Sequence, residues 1–311
     1  MKIAIILPAY NEERAIAQTL EEYAKVAPQA EFYVIDNASL DRTAEISRAK
    51  IQELGLRGRV LSEPRKGKGN AMRRAFREIE ADVYVMVDAD ATYVADDLPA
   101  LLAPVLEGRA DICVGDRHAN SVYRAQNTRR FHDFGNRLVR GMINALFKSN
   151  LQDIMSGYRV CSRFFVKNLP LLGEGFEIET EMTLHAVDKR FALLEIPAGY
   201  RARPEGSFSK LSTFKDGFRI VRTIFWIFKD YRPLIFFSGL SAVFGVFGLA
   251  FGIPVILEFQ ATGLVPKFPS AILATGLMTL SALFLTVGFV LDTVAKIHRE
   301  QFELRLLEYK K

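Results

Sequence analysis

Two stretches of this chain, residues 233–257 and 268–291, contain no charged side chain, and nothing else in the sequence restricts its possible folds so strongly. Each is about the length a helix needs to cross a ~30 Å hydrocarbon core, whereas helices buried in soluble proteins rarely run so far without a charge. The pattern predicts two transmembrane helices. The link between them, 258–267, is short and holds Gly263 and Pro266, so it predicts an antiparallel hairpin with both chain ends on one side of the membrane. Arg219, Arg222, Lys229 and Arg232 precede the first span, and Lys296, Arg299, Arg305, Lys310 and Lys311 follow the second, against Lys267 alone in the link. By the positive-inside rule the expectation is a multi-pass protein of the inner (cytoplasmic) membrane whose N-terminal part and tail are cytoplasmic. Met1-Lys2 runs directly into the strand-like segment 3–7, so no signal peptide is expected.

Of the 311 residues, 50% are hydrophobic and 25% charged, which suits a globular enzyme carrying extra apolar sequence. Cys113 and Cys161 lie far apart, and His118, His132, His185 and His298 form no ligand spacing with them, so a zinc site is not expected and a reducing compartment is. The net charge of +5 is modest, and much of the basic surplus flanks the apolar runs. That distribution favours anionic membrane lipids over nucleic acid as a partner.

Upstream, strand and helix patterns alternate. Strands are predicted at 2–7, 31–35, 59–62 and 83–87, and helices at 12–27, 43–54 and 69–80. Such alternation predicts an α/β fold, a mainly parallel sheet with helices on both faces, which binds ligands at the carboxyl ends of its strands. Pro8-Ala9-Tyr10-Asn11-Glu12, Asp36-Asn37-Ala38-Ser39 and Asp88-Ala89-Asp90 all occupy that position, so they are expected to meet at one rim. In the last of these, two carboxylates stand two residues apart at a strand end and share a face, able to converge on a hard cation such as Mg²⁺ or Mn²⁺. The plainer alternative is a turn in which Asp caps the strand.

A dehydrogenase is excluded by its own signature, since no GxGxxG follows the first strand. Arg65-Lys66-Gly67-Lys68-Gly69-Asn70 opens the third helix without P-loop spacing. Its glycines would let backbone N–H groups approach a diphosphate, with Lys66 or Lys68 supplying charge; the alternative is an exposed basic turn.

Taken in order, Pro8-Ala9-Tyr10-Asn11-Glu12-Glu13, Asp36-Asn37-Ala38-Ser39-Leu40-Asp41-Arg42-Thr43, Lys66-Gly67-Lys68-Gly69-Asn70-Ala71, Asp88-Ala89-Asp90, Gly115-Asp116-Arg117, Ser156-Gly157-Tyr158-Arg159 and Arg203-Pro204-Glu205-Gly206-Ser207-Phe208-Ser209-Lys210-Leu211 resemble the family-two glycosyltransferases. The similarity is greatest to the dolichyl-phosphate mannose synthase and bacterial undecaprenyl-phosphate glycosyltransferase branch, and it spans essentially the whole chain. The resemblance implies a GT-A fold that binds a nucleotide sugar. Pro8, Tyr10, Glu12 and Asp36 would then hold base and ribose, Lys66 or Lys68 with Gly69 would lie near the diphosphate, and Asp88 and Asp90 would frame Mg²⁺ or Mn²⁺. Thr92 stands where the family often has Gln, which puts direct ligation from that position in doubt. Ala91 replaces a more permissive Gly, harmless if its backbone is helical or extended.

Joining a nucleotide sugar to a lipid phosphate brings two anions together, which calls for cations and no general base. Arg117, Arg130, Arg203 and Lys210 are the candidates, Arg being favoured for bidentate phosphate contacts. The rival reading is a hydroxyl acceptor, for which a carboxylate near Glu177, Glu179 or Glu181 would act as base; Glu177 and Glu181 share a helix face and Glu179 points elsewhere. Phe214, Phe218, Val221, Ile224, Phe225 and Phe228 recur at helical spacing between basic residues, predicting a helix in the membrane interface. The expected organisation is a cytoplasmic GT-A catalytic domain over 1–210, the amphipathic interface region 211–232, the transmembrane hairpin 233–292 and a cytoplasmic basic tail 293–311. Its expected function is transfer of one hexose-type sugar from a UDP- or GDP-sugar to undecaprenyl or dolichyl phosphate, which the resemblance implies to be inverting. A non-catalytic nucleotide-sugar scaffold is the reading from another class. Glycines at 239, 245, 248 and 252 leave small faces on the first span for the second span or another subunit of a homo-oligomer.

Overall fold

The structure is a computed structural model and describes residues 1–119, 130–175, 177–204, 225–227 and 229–309, with the backbone alone for 130–136 and 309. The chain divides into two compact units, Met1–Asp216 and Gly217–Lys311.

In the first unit, short apolar runs form the strands β1 (Ile3–Ala9), β2 (Glu31–Asp36), β3 (Arg57–Ser62), β4 (Val83–Met86), β5 (Ile112–Asp116), β6 (Arg159–Ser162) and β7 (Leu193–Pro197). They make one sheet in the order β3-β2-β1-β4-β6-β5-β7. The intervening helices are α1 (Ile16–Val26), α2 (Thr43–Glu53), α3 (Lys68–Glu78), α4 (Leu98–Leu106), α5 (Arg130–Phe147), α6 (Arg163–Lys167) and α7 (Ile178–Asp188). Alternate residues of β1 face opposite ways: Ile3, Ile5 and Leu7 pack with Ile16 and Leu20 of α1 and Leu98 and Leu101 of α4. The other face is covered by α3, which touches β1 and β2 and buries Ala71, Met72, Ala75 and Phe76.

β1 pairs in parallel with β2 and β4, as do β2 with β3 and β5 with β7. The departure from a parallel sheet is β6, antiparallel to both β4 and β5. Residues 148–158 deliver the chain to the carboxyl end of β4, and a short strand entering from there runs back against its neighbours. The first helix begins four residues later than its periodicity predicts, because Asn11 has a left-handed φ of 53° and the Glu12 N–H is held by Thr43 Oγ1 at 2.8 Å.

The second unit contains α8 (Pro233–Thr262) and α9 (Phe268–Tyr309), both long and apolar enough to cross a membrane. They pack antiparallel. A Cβ at Gly288 would lie 3.1 Å from Phe237, one at Gly245 3.1 Å from Ser281, and one at Gly248 2.9 Å from Met278. Ser281 Oγ donates to the Ser241 carbonyl at 2.8 Å. The glycines at 245, 248 and 252 therefore serve the hairpin itself, while Gly239 faces open space. α8 continues past 257 to the left-handed Gly263. α9 does not stop near 291, because 292–309 is rich in Leu, Glu, Lys and Arg and free of Gly and Pro, a composition that prolongs a helix. The predicted interface region lies outside the described residues except for 225–227 and 229–232, as do Lys210 and the Arg130 side chain.

Candidate active site

At the carboxyl rim of β1, β2 and β4, side chains lace the strand ends together. Asn37, directly after β2, donates to the Arg65 carbonyl at 2.6 Å and the Glu63 carbonyl at 3.2 Å, and its Oδ1 accepts the Gly67 N–H at 2.7 Å. Asn11 N–H donates to Ser39 Oγ at 3.0 Å, and Leu40 N–H to Asn11 Oδ1 at 2.7 Å. Pro8 and Tyr10 at the end of β1, Glu12 just beyond, and Asp36 at the end of β2 lie along this rim, with Glu12 and Asp36 each 8% exposed. The Lys66 ammonium stands 5.6 Å from the Tyr10 ring centre.

The reading of Gly69 as a diphosphate-facing amide is corrected by its surroundings. Its N–H donates to the Glu174 carbonyl at 2.9 Å, and a Cβ there would sit 2.2 Å from the Gly173 carbonyl oxygen. The glycine is needed because residues 173–174 close directly on the start of α3. That loop is in turn held by α7: Glu181 accepts the N–H groups of Leu172 and Gly173 at 2.8 and 2.9 Å, and Glu177 those of Glu174 and Gly175 at 3.1 and 3.0 Å. Lys68 likewise points inward, its ammonium bound to Asp88 Oδ1 and, at 2.5 Å, to Glu179 Oε1. Burial alone would lower its pKa, but the charges of Asp88 and Glu179 outweigh it and hold the ammonium above the usual lysine range.

Asp90 is 4% exposed. Its Oδ1 accepts the Thr92 hydroxyl at 2.6 Å and its Oδ2 the Arg203 guanidinium at 2.6 Å, which also stands 3.7 Å from Glu12. Burial and the neighbouring Asp88 charge push the Asp90 carboxyl up in spite of Arg203. Thr92 orients Asp90 from the side. Arg117 grips Asp153 with two parallel bonds of 2.7 and 2.9 Å and lies 5.8 Å from the Tyr200 ring centre. Asp153 is held in place by Glu195 of β7, which accepts its N–H at 2.7 Å.

Several of these residues escaped the sequence reading. Asp153, Tyr200 and Glu195 stand in no motif. Arg159 offered a signal, a charge in the apolar run Tyr158-Arg159-Val160-Cys161; fully buried, it donates to the Ser156 and Ile154 carbonyls and to Thr183 Oγ1 at 2.8–2.9 Å. It ties the loop before β6 to α7.

Residues 4–169 match the model of "Glycosyl transferase family 2". The chain belongs to this family. Glycosyltransferase AglJ of Haloferax volcanii is 29% identical over 97% of this chain and 96% of its own length. The undecaprenyl-phosphate mannosyltransferase of Micrococcus luteus is 27% identical, covering 73% of this chain and 94% of its own. Among solved structures, glucosyl-3-phosphoglycerate synthase from Mycobacterium tuberculosis, in complex with Mn²⁺, UDP and phosphoglyceric acid, superposes with a TM-score of 0.55 at 20% identity, covering 73% of this chain and 77% of that one. That likeness shows the GT-A fold.

The rim of this glycosyltransferase fits a divalent cation. Asp88 and Asp90 offer hard carboxylate oxygens of the kind Mg²⁺ and Mn²⁺ take, and their mutual repulsion favours a shared positive ion. Gly157 makes room for the Asp88 carboxylate itself, since a Cβ there would lie 2.4 Å from Asp88 Oδ2, and the Gly157 N–H is fixed by Tyr93 Oη at 2.7 Å. Among the described residues no group of three or more His, Cys, Asp or Glu is arranged around one point, and the two carboxylates are the protein oxygens on offer here.

The condition under which Ala91 would be harmless is not met, because its φ is 57°, in the left-handed region. The Arg201 Nε–H, bonded to the Ala91 carbonyl at 2.7 Å, stabilises this turn between Asp90 and Thr92. An L-residue there is strained. Ala91→Gly is therefore expected to stabilise the protein by about 1 kcal/mol, read as a rise in Tm of about 2–4 °C.

Proposed function

We propose that this glycosyltransferase moves one hexose-type unit, with inversion, from a UDP- or GDP-sugar to polyprenyl phosphate at the cytoplasmic face of the membrane. The observation that carries this reading is the gathering of Asp88 and Asp90 with Arg203 and Lys68 at one strand rim, and of Arg117 beside it across Tyr200. It is supported by relatives named as polyprenyl-phosphate sugar transferases and by the apolar hairpin, whose flanking basic residues favour a cytoplasmic catalytic unit.

Pro8, Tyr10, Glu12 and Asp36 would receive the nucleoside, and Lys66, reaching over Tyr10, the diphosphate. Asp88 and Asp90 would hold Mg²⁺ or Mn²⁺, which supplies Lewis-acid neutralisation of the departing nucleoside diphosphate when bound. An ionised lipid phosphate attacks the anomeric carbon from the face opposite the leaving group; one C–O bond forms as the other breaks, and no proton has to be removed. Arg203 and Arg117 would offset the repulsion between the two anionic substrates, with Arg130 and Lys210 completing the cationic set. Glu179, the carboxylate a hydroxyl acceptor would recruit as base, is committed to Lys68, which favours the phosphate.

The test is transfer in detergent from a panel of UDP- and GDP-sugars to undecaprenyl phosphate. One donor is expected to give lipid-linked product, EDTA to stop the reaction, and Mn²⁺ or Mg²⁺ to restore it. Absence of labelled lipid from every donor would reject the proposal.

A further inference from the structure

We infer that Glu179 is a positioning residue that sets how readily the Asp88 and Asp90 pair takes up a divalent cation, by sharing the Lys68 ammonium with Asp88. The inference rests on the metal reading above. The Lys68 and Glu179 side chains are 8% and 5% exposed, so solvent screens little of their interaction. Lys68 cannot withdraw: the backbone around it is clamped by residues 173–174, which Glu177 and Glu181 fasten to α7. Its side chain therefore moves only among the carboxylates within reach of this fixed backbone, Asp88 and Glu179.

If Lys68 and Arg203 faced only Asp88 and Asp90, the two carboxylates would be neutralised by the protein's own cations, and a divalent ion would have to displace them. Glu179 adds a third carboxylate to the same ammonium, at 2.5 Å from Lys68. Glu179 thereby leaves the carboxylates here in excess over Lys68 and Arg203, an excess to which Glu12 beside Arg203 adds, and Lys68 has a partner toward which to turn when Asp88 binds the ion. A carboxylate on α7, among the buried Ile178, Thr180, Met182 and Thr183, is costly to keep without such a partner. Its position on the helix face away from Glu177 and Glu181 separates this electrostatic role from their hold on the loop.

Direct binding of Mn²⁺ alone to the purified full chain in detergent, read from the electron paramagnetic resonance of the free ion, tests this without turnover. Glu179→Gln is expected to weaken Mn²⁺ binding by about 10–100-fold, the range typical of groups just behind metal ligands. Lys68→Met is expected to tighten it, and the double variant to return to within roughly threefold of the native value, since the two charges cancel. Near-UV circular dichroism checks that each variant is folded, and the opposite sign expected of Lys68→Met separates electrostatic tuning from general damage. Equal Mn²⁺ affinity in native protein and Glu179→Gln, or weakened binding in folded Lys68→Met, would overturn the inference and leave the metal reading standing. A native protein that takes up no Mn²⁺ would overturn both.

Discussion

Asp90→Ala is expected to lower sugar transfer at least about a thousand-fold, as removal of roughly 4 kcal/mol of charge stabilisation at the leaving group requires, while the fold survives. Asp90 is buried, yet its loss strands little. Arg203 keeps Glu12, 3.7 Å away, the Thr92 hydroxyl and N–H lose their shared acceptor, and the like-charge repulsion with Asp88 disappears. Thermal unfolding should register a change of no more than about 2 kcal/mol. The split between rate and stability is the signature of a residue kept for chemistry. A variant that retained a tenth of native transfer would show that Asp90 serves only the turn.

Asp153→Ala should show the reverse emphasis. Arg117 and Asp153 are a bidentate pair whose side chains are 12% and 2% exposed, and truncating Asp153 takes from the buried guanidinium its bidentate carboxylate. The expected cost is about 3–5 kcal/mol, or a fall in Tm on the order of 10 °C, with transfer reduced as well because Arg117 loses its orientation beside Tyr200. The pair also sets an acid limit. Burial pushes the Asp153 carboxyl up, but the Arg117 guanidinium outweighs it and holds the group below its ordinary range. Because the folded value lies below the unfolded one of about 3.9, this stabilisation is complete above that pH and is lost as acidification passes through the folded value. In Asp153→Ala that part of the acid sensitivity should vanish from a plot of Tm against pH.

These two residues mark what could and could not be read from the chain. Asp88 and Asp90 were visible because an apolar run ended in two carboxylates, and runs of that kind, alternating with helical spacing, also revealed the strands and helices up to β4, though not α4 beyond it. Asp153 was hidden because its partner lies 36 residues away and becomes a neighbour only when the loop before β6 folds back. The same fold-back makes β6 antiparallel, a matter of which edge the chain enters from and not of local pattern. Lys68 and Gly69 looked like an anion site because glycine and lysine at a helix start usually suggest one. Whether such amides face a ligand or another loop depends on the segment at 173–174, about a hundred positions on. The backbone of Ala91 was left open for a related reason, since its left-handed turn is held by Arg201, 110 positions on. The hairpin was legible because length and absence of charge are local properties, whereas the continuation of α9 to Tyr309 depended on propensity in a segment read for its charge.

The central claim is that the acceptor is a lipid phosphate joined without a general base. The most direct test offers the purified protein, with its preferred nucleotide sugar and Mn²⁺, undecaprenyl phosphate and the same lipid after phosphatase treatment, side by side. The account predicts product from the phosphate and none from the free alcohol. Comparable transfer to the dephosphorylated lipid would contradict it.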